Sequence, residues 1–265
     1  MVFIIFIAIL VLFGIFALIW ARRFVDGRNL LVDTFNNGNV IVFGIKGKGK
    51  DLIFNKVINA RGRNCYSNIQ FNKEYCTIKS IKEFSVEPNT YIDLLEDNVK
   101  IIPKTLKEET DFYISDGGIF LPSQYSNNLC KQYPSLPIFY ALSRHLTNSN
   151  IHINSQYLGR VWDKLREHAD RYIKAEGTKN IFGFLITKFT YYEKYDSAMS
   201  QVSPYKPTGL FKSNESRAEE EKHMATYGTI KTGYIIQHKN KAVYDSRYFH
   251  LKIYGRVSPS SKKDI

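Results

Sequence analysis

The residues with the clearest chemical potential are Gly44-Ile45-Lys46-Gly47-Lys48-Gly49-Lys50-Asp51. They follow the pattern G-x-x-x-x-G-K. Closely spaced glycines let backbone N–H groups turn inward around an anion. A helix starting at the last glycine would add its positive end. Lys50 is then placed to reach the β- and γ-phosphates of a nucleotide. The competing reading is a basic, glycine-rich turn. The pattern departs from its usual form at Asp51, where a Ser or Thr ordinarily ligates magnesium.

Such a loop needs a strand before it and a helix after it. Asn39-Val40-Ile41-Val42-Phe43-Gly44 is a short apolar, β-branched run ending in glycine, the pattern of a buried parallel strand. Residues 52–58 read as the helix. A nucleotide-hydrolysing site also needs a second strand ending in an acidic residue. Residues 110–114 form that strand and lead into Ser115-Asp116-Gly117-Gly118. Asp116 is the candidate carboxylate for orienting water. The bland alternative is an aspartate that turns the chain before two glycines. Asp51 and Ser115 together could hold Mg2+, with carboxylate and hydroxyl exchanged between loop and strand.

The remaining elements follow the same rhythm. Residues 75–78 and 151–156 read as strands. Val161 to Ala175 has helical spacing, with Leu165, Ala169 and Tyr172 on one face. Strands alternating with helices imply an α/β fold, a mainly parallel sheet flanked by helices over residues 39–180. Residues 181–265 read as a β-rich extension. Within it, 200–226 carry Pro204, Pro207, Gly209 and Asn214 and read as a mobile loop. Residues 227–254 read as a hairpin turning near His238.

The N-terminus has a different character. Residues 1–20 contain no charge and no proline, and as a helix they would span about 30 Å, the thickness of a bilayer core. A cleaved signal peptide would have a basic start and a shorter apolar run. Residues 1–21 therefore read as one transmembrane anchor, and 22–38 as a basic linker. Residues 22–63 hold nine Lys/Arg against three Asp/Glu, which places the body of the protein in the cytoplasm.

Composition narrows the remaining classes. The 265 residues carry 37 Lys plus Arg against 25 Asp plus Glu, a net charge of +12. That charge suits anionic lipid and a nucleic-acid backbone equally. Three cysteines, Cys65, Cys76 and Cys130, exclude a disulfide-dense scaffold. No Cys/His group has zinc spacing.

Several of these segments together resemble the Zot-like family, the zonular-occludens-toxin-like, membrane-anchored assembly ATPases of filamentous phages. Ser115-Asp116-Gly117-Gly118-Ile119-Phe120-Leu121-Pro122 resembles its Asp-Glu-Ala-Gly-hydrophobic-Phe-hydrophobic-Pro motif. Arg61-Gly62-Arg63 through Asn68-Ile69 resembles its basic stretch. Ser143-Arg144-His145 and the strand ending at Gln156 resemble its Arg-His and strand-terminal Gln. Arg166 resembles an arginine of the following helix, and residues 243–250 resemble a Tyr-Asp-Thr-Arg-Tyr-Phe-His motif. The match covers about residues 38–175, and 240–255 separately.

The resemblance implies an ATP- and Mg2+-dependent P-loop ATPase of the FtsK–HerA group, acting as a homo-oligomeric ring in the host cytoplasmic membrane. Phage coat or pore proteins, single-stranded DNA and membrane lipids would be its partners. Gln156 would sense the γ-phosphate, unless it is a solvated strand-end residue. Arg144 would act on a neighbouring subunit's nucleotide, unless it is a surface arginine. A DNA-packaging or DNA-transfer motor is one alternative function. A nucleotide-binding scaffold that does not hydrolyse is the other.

Overall fold

A computed structural model describes residues 2–69, 71, 74–78, 109–117, 137, 140–141, 143–144, 148–205 and 214–239. The expectations on residues 118–122, Cys130, His145 and 240–255 lie outside these.

The chain opens with one helix, α1, over Val2–Asn36. Among the described residues it is the one helix long and apolar enough to cross a membrane. It does not end at Trp20. Residues 22–36, read as linker, continue the helix because Gly27, Leu30, Leu31, Thr34 and Phe35 recur at helical spacing. Leu31 and Phe35 are fully buried in the core. The helix stops at Asn37-Gly38, where the Asn37 backbone and side chain both donate to the Asp33 carbonyl, at 3.2 and 2.8 Å.

Eight strands form one sheet. In chain order they are β1 (Val40–Phe43), β2 (Cys65–Ser67), β3 (Cys76–Ile78), β4 (Asp111–Ile114), β5 (Ile151–Ser155), β6 (Arg171–Ile181), β7 (Phe184–Tyr192) and β8 (Ile230–His238). Their spatial order is β3-β2-β4-β5-β1-β6-β7-β8. All pairs from β3 to β6 are parallel. β7 and β8 extend the same sheet in antiparallel pairing. Helix α2 (Lys50–Arg61) follows β1 directly.

β1 and β5 are buried at every position. Alternation along β1 sends Ile41 and Phe43 into one core layer, with Phe112, Ile153 and Leu165. Val40 and Val42 enter the other, with Phe35, Phe54 and Ile173. Covering both faces is what a parallel sheet requires. The whole is an α/β fold, a mainly parallel sheet flanked by helices, with the glycine-rich segment between β1 and α2.

Two segments differ from expectation. Val161–Ala175 is not one helix. It contains a single turn, α3 (Asp163–Arg166), after which the chain reverses and enters β6. Leu165, Ala169 and Tyr172 do share one core, but helix and strand both feed it. The break is held by Asp170, whose carboxylate accepts the Asn39 N–H at 2.7 Å.

The stretch 200–226 is not loop throughout. After the short α4 (Tyr195–Met199), helix α5 spans Asn214–Tyr227 and includes the acidic run Glu219–Glu221. Pro204, Pro207 and Gly209 all precede it, and Ala, Glu, Lys and Met inside it favour helix. β8 covers the first arm of the hairpin expected over residues 227–254 and pairs with β7; residues 240–254 lie outside the described residues.

Cys65 and Cys76 face each other as register partners on β2 and β3, and both are free thiols.

Candidate nucleotide-binding site

The loop from Gly44 to Lys50 joins β1 to α2 at the carboxyl end of the parallel strands. Gly44 donates its N–H to Ser155 at 3.2 Å, tying the loop's start to β5. Gly49 begins the helix with φ 94° and ψ 24°. A side chain there would be strained and would also strike the Thr178 hydroxyl. Thr178 donates to the Lys48 carbonyl at 3.3 Å and lies 2.9 Å from Thr187, so β6 and β7 brace the loop from outside.

Lys50 is buried and folds back across the loop. Its ammonium donates to the Gly44 carbonyl at 2.8 Å and to Ile45 at 3.4 Å. Burial lowers its pKa, while the nearby Asp51 and Asp116 carboxylates oppose that shift. Such contacts hold the ammonium inside the curve where phosphate oxygens would lie.

Asp51, in the first turn of α2, meets the second strand directly. Its Oδ1 accepts from the Ser115 hydroxyl at 2.9 Å and from the Asn154 side-chain amide at 2.7 Å. Burial raises the Asp51 pKa, and these two hydrogen bonds counter it. Ser115 is itself fixed by Asn68, which accepts its N–H at 2.7 Å and donates to its carbonyl at 2.8 Å.

Asp116 follows with φ 51°, a left-handed conformation that Asp tolerates better than most residues. Its N–H donates to Asn154 Oδ1 at 2.7 Å. The residue does turn the chain, and its carboxylate also bears on both Lys50 and Asp51. The structure therefore brings Lys50, Asp51, Ser115 and Asp116 together.

Gln156 stands one residue beyond β5. It lines a cleft of about 430 Å³ with Gly44, Ile45 and Lys48, beside the loop. Ile45, Lys46 and Gly47 are exposed, and Lys48 is half-buried. Arg144 lies elsewhere. It is exposed in a cleft with Asn39, His168 and Asp170, at the amino ends of β1 and β6, the opposite end of the strands from the loop. It does not join its own chain's loop. Arg166 donates to the Tyr195 hydroxyl at 2.6 Å, a contact between α3 and α4.

Sequence reasoning missed Asn154, and it carried Asn68 only within a resembling segment. The available signal for Asn154 was an amide inside a run of buried strand residues. A buried amide needs partners, and this one finds three.

Magnesium chemistry can be tested on this donor set. Asp51, Ser115 and Asp116 offer hard oxygen atoms, the type Mg2+ prefers. A buried carboxylate whose pKa burial raises is also one that a cation would stabilise in its charged form. The residues fit the ion, and Asp51 and Ser115 would hold it.

No protein-family model and no curated protein matches the chain. Among solved structures it is similar to the N-terminal domain of zonular occludens toxin from Neisseria meningitidis, at 12% identity over 80% of this chain and 97% of that one, with a TM-score of 0.39. It is also similar to the genome packaging NTPase of Sulfolobus turreted icosahedral virus 2 in complex with AMP, at 12% identity over 79% and 96% of the two chains, with a TM-score of 0.37.

Proposed function

We propose that this protein is a membrane-anchored ATPase that powers assembly or export of filamentous phage particles. The observation that carries the hydrolytic part is the convergence of Lys50, Asp51, Ser115 and Asp116 at the carboxyl ends of β1 and β4. Lys50 binds the β- and γ-phosphates. Asp116 accepts a proton from the attacking water and orients it. Gln156 contacts the γ-phosphate from the end of β5. Asp51 and Ser115 would hold Mg2+, which would supply positive charge to offset the phosphates. The phage-assembly part rests on the sequence resemblance and on the apolar first twenty residues. In this reading the protein acts as a ring in the host cytoplasmic membrane, and Arg144, remote from its own loop, faces a neighbouring subunit.

One observation favours a second reading, the non-hydrolysing scaffold. Asp51 Oδ1 already accepts two hydrogen bonds, so the aspartate could serve only to lock α2 to β4 and β5.

Phosphate release decides between them. The full chain in lipid vesicles, given ATP and Mg2+, is expected to release inorganic phosphate. Saturable ATP binding with no phosphate release would select the scaffold.

A further inference from the structure

The β6–β7 hairpin ends in an apolar tip. Ile181 and Phe184 are cross-strand partners, which leaves Phe182-Gly183 as a two-residue turn. Both turn residues have positive φ, 48° and 82°, the geometry of a type I′ turn. Asn or Asp is usual at its first position, and phenylalanine is costly there. Phe182 is nonetheless 97% exposed, with Ile181 and Phe184 at 44% and 43%. Among the described residues nothing covers it.

The position of this tip follows from α1. The helix ends beside the start of β5, where the Asn150 amide donates to the Phe35 carbonyl at 3.3 Å, and the chain then turns into β1. At mid-helix, Trp20 lines the same cleft as Lys46 and Lys48 of the phosphate loop. The helix therefore runs antiparallel to β1, and its apolar end rises past the carboxyl ends of the strands.

β8 supplies the scale. The backbone of Tyr234 abuts Gly27, where any side chain would collide, and the Trp20 and Tyr234 rings lie 6.2 Å apart. Four residues beyond Tyr234, His238 pairs with Phe184 at the tip. Four strand residues climb about 13 Å, as much as about nine helical residues. Counted back from Gly27, that height is reached near residue 18. The tip thus stands level with the end of the apolar run, beside Trp20, where interfacial aromatics sit. The cleft between tip and helix is lined by four lysines, Lys46, Lys48, Lys179 and Lys188, against one acid, Glu176. Those ammonium groups suit anionic headgroups.

We infer that the β6–β7 tip, led by Phe182, inserts into the interface of an anionic bilayer and forms a second membrane contact beside α1. This rests on the reading of α1 as a membrane anchor. The contact would hold the phosphate loop against the membrane surface, since β6 and β7 also brace Gly49.

The test is depth-resolved quenching of the full chain carrying Phe182→Trp. Vesicles of phosphatidylglycerol and phosphatidylcholine carry bromine either near the glycerol or near the chain end. Subtracting the parent, which has Trp20 and Trp162, isolates emission from position 182. The expected result is blue-shifted added emission, quenched more by the shallow bromines. Unquenched, red added emission with Trp20 quenched in the parent would overturn the inference and leave the anchor standing. A blue shift without lipid quenching would mean a protein covers the tip, and would overturn it too. A parent that does not associate with vesicles would remove both readings.

Discussion

Asn154 joins Asp51 to Asp116. Its amide nitrogen donates to Asp51 Oδ1 and its amide oxygen accepts the Asp116 N–H, each at 2.7 Å. One side chain on the strand between β1 and β4 thus ties the loop's carboxylate to the backbone just beyond β4. The same nitrogen lies 3.2 Å from the Ser115 hydroxyl. A change at Asn154 should be felt by the magnesium ligands without touching phosphate.

Asn154→Ala is therefore expected to weaken magnesium activation of ATP turnover by about 10–100-fold, the range for outer partners of metal ligands. Titration of turnover against Mg2+ at saturating ATP reads this. Asn154→Asp should be worse, because it would put a second carboxylate against Asp51. Unchanged magnesium dependence in both variants would show that Asn154 serves the fold alone.

The loop and strand residues are expected to be interchangeable only as a pair. Asp51→Ser removes the carboxylate and should lower turnover at limiting Mg2+. Asp51→Thr with Ser115→Asp should recover part of it, because a hydroxyl and a carboxylate again face each other. If Asp51→Ser matches the parent at limiting magnesium, Asp51 only fastens the helix.

Arg61 closes α2 against β4. Its guanidinium lies 2.5 Å from the Asp111 carboxylate, and both side chains are almost wholly buried. It also donates to the Tyr113 hydroxyl at 3.1 Å. Removing one partner of such a pair leaves an uncompensated buried charge and costs about 3–5 kcal/mol. Arg61→Ala should lose stability of that order in urea unfolding, whereas Arg61→Met with Asp111→Asn, which removes both charges and keeps an acceptor for the Asn150 N–H, should lose less. Equal losses in both would place the cost in packing rather than charge.

His152 sets an acid limit. It is fully buried on β5, with ring centroids 4.6 Å from Phe35 and 4.8 Å from Tyr113. Burial holds its pKa well below the ordinary value of 6.5, with the Arg61 charge adding to the effect. The unfolded chain then binds the proton first, so stability is complete above pH 6.5 and falls as pH drops below it. Urea unfolding between pH 7 and pH 5 should show this slope, flattened in His152→Leu. An identical slope in that variant would assign the acid sensitivity to other groups, such as the buried carboxylates.

Much of this was legible in the residues. Val40–Phe43, the glycine loop and Asp111–Ile114 announce themselves through local composition, and the structure places them together. What was not legible depended on distant partners. Leu165, Ala169 and Tyr172 have helical spacing, yet the chain reverses between them because Asp170 caps the Asn39 N–H. Gly27 to Phe35 carry helical spacing too, but it was hidden behind the charge excess of residues 22–28. Asn154 looked like any strand residue, because its role exists only once β4 and α2 lie on either side.

The Gly44–Lys50 loop is proposed to bind ATP and to support its hydrolysis through Lys50. The most direct measurement compares ATP turnover by the full chain in lipid vesicles with that of Lys50→Ala. Vesicle association should be unchanged, since it depends on α1. Loss of one preorganised charge facing the reacting phosphate predicts a fall in turnover of about 100-fold or more. Turnover by Lys50→Ala equal to the parent's would contradict the assignment of this loop as the nucleotide site.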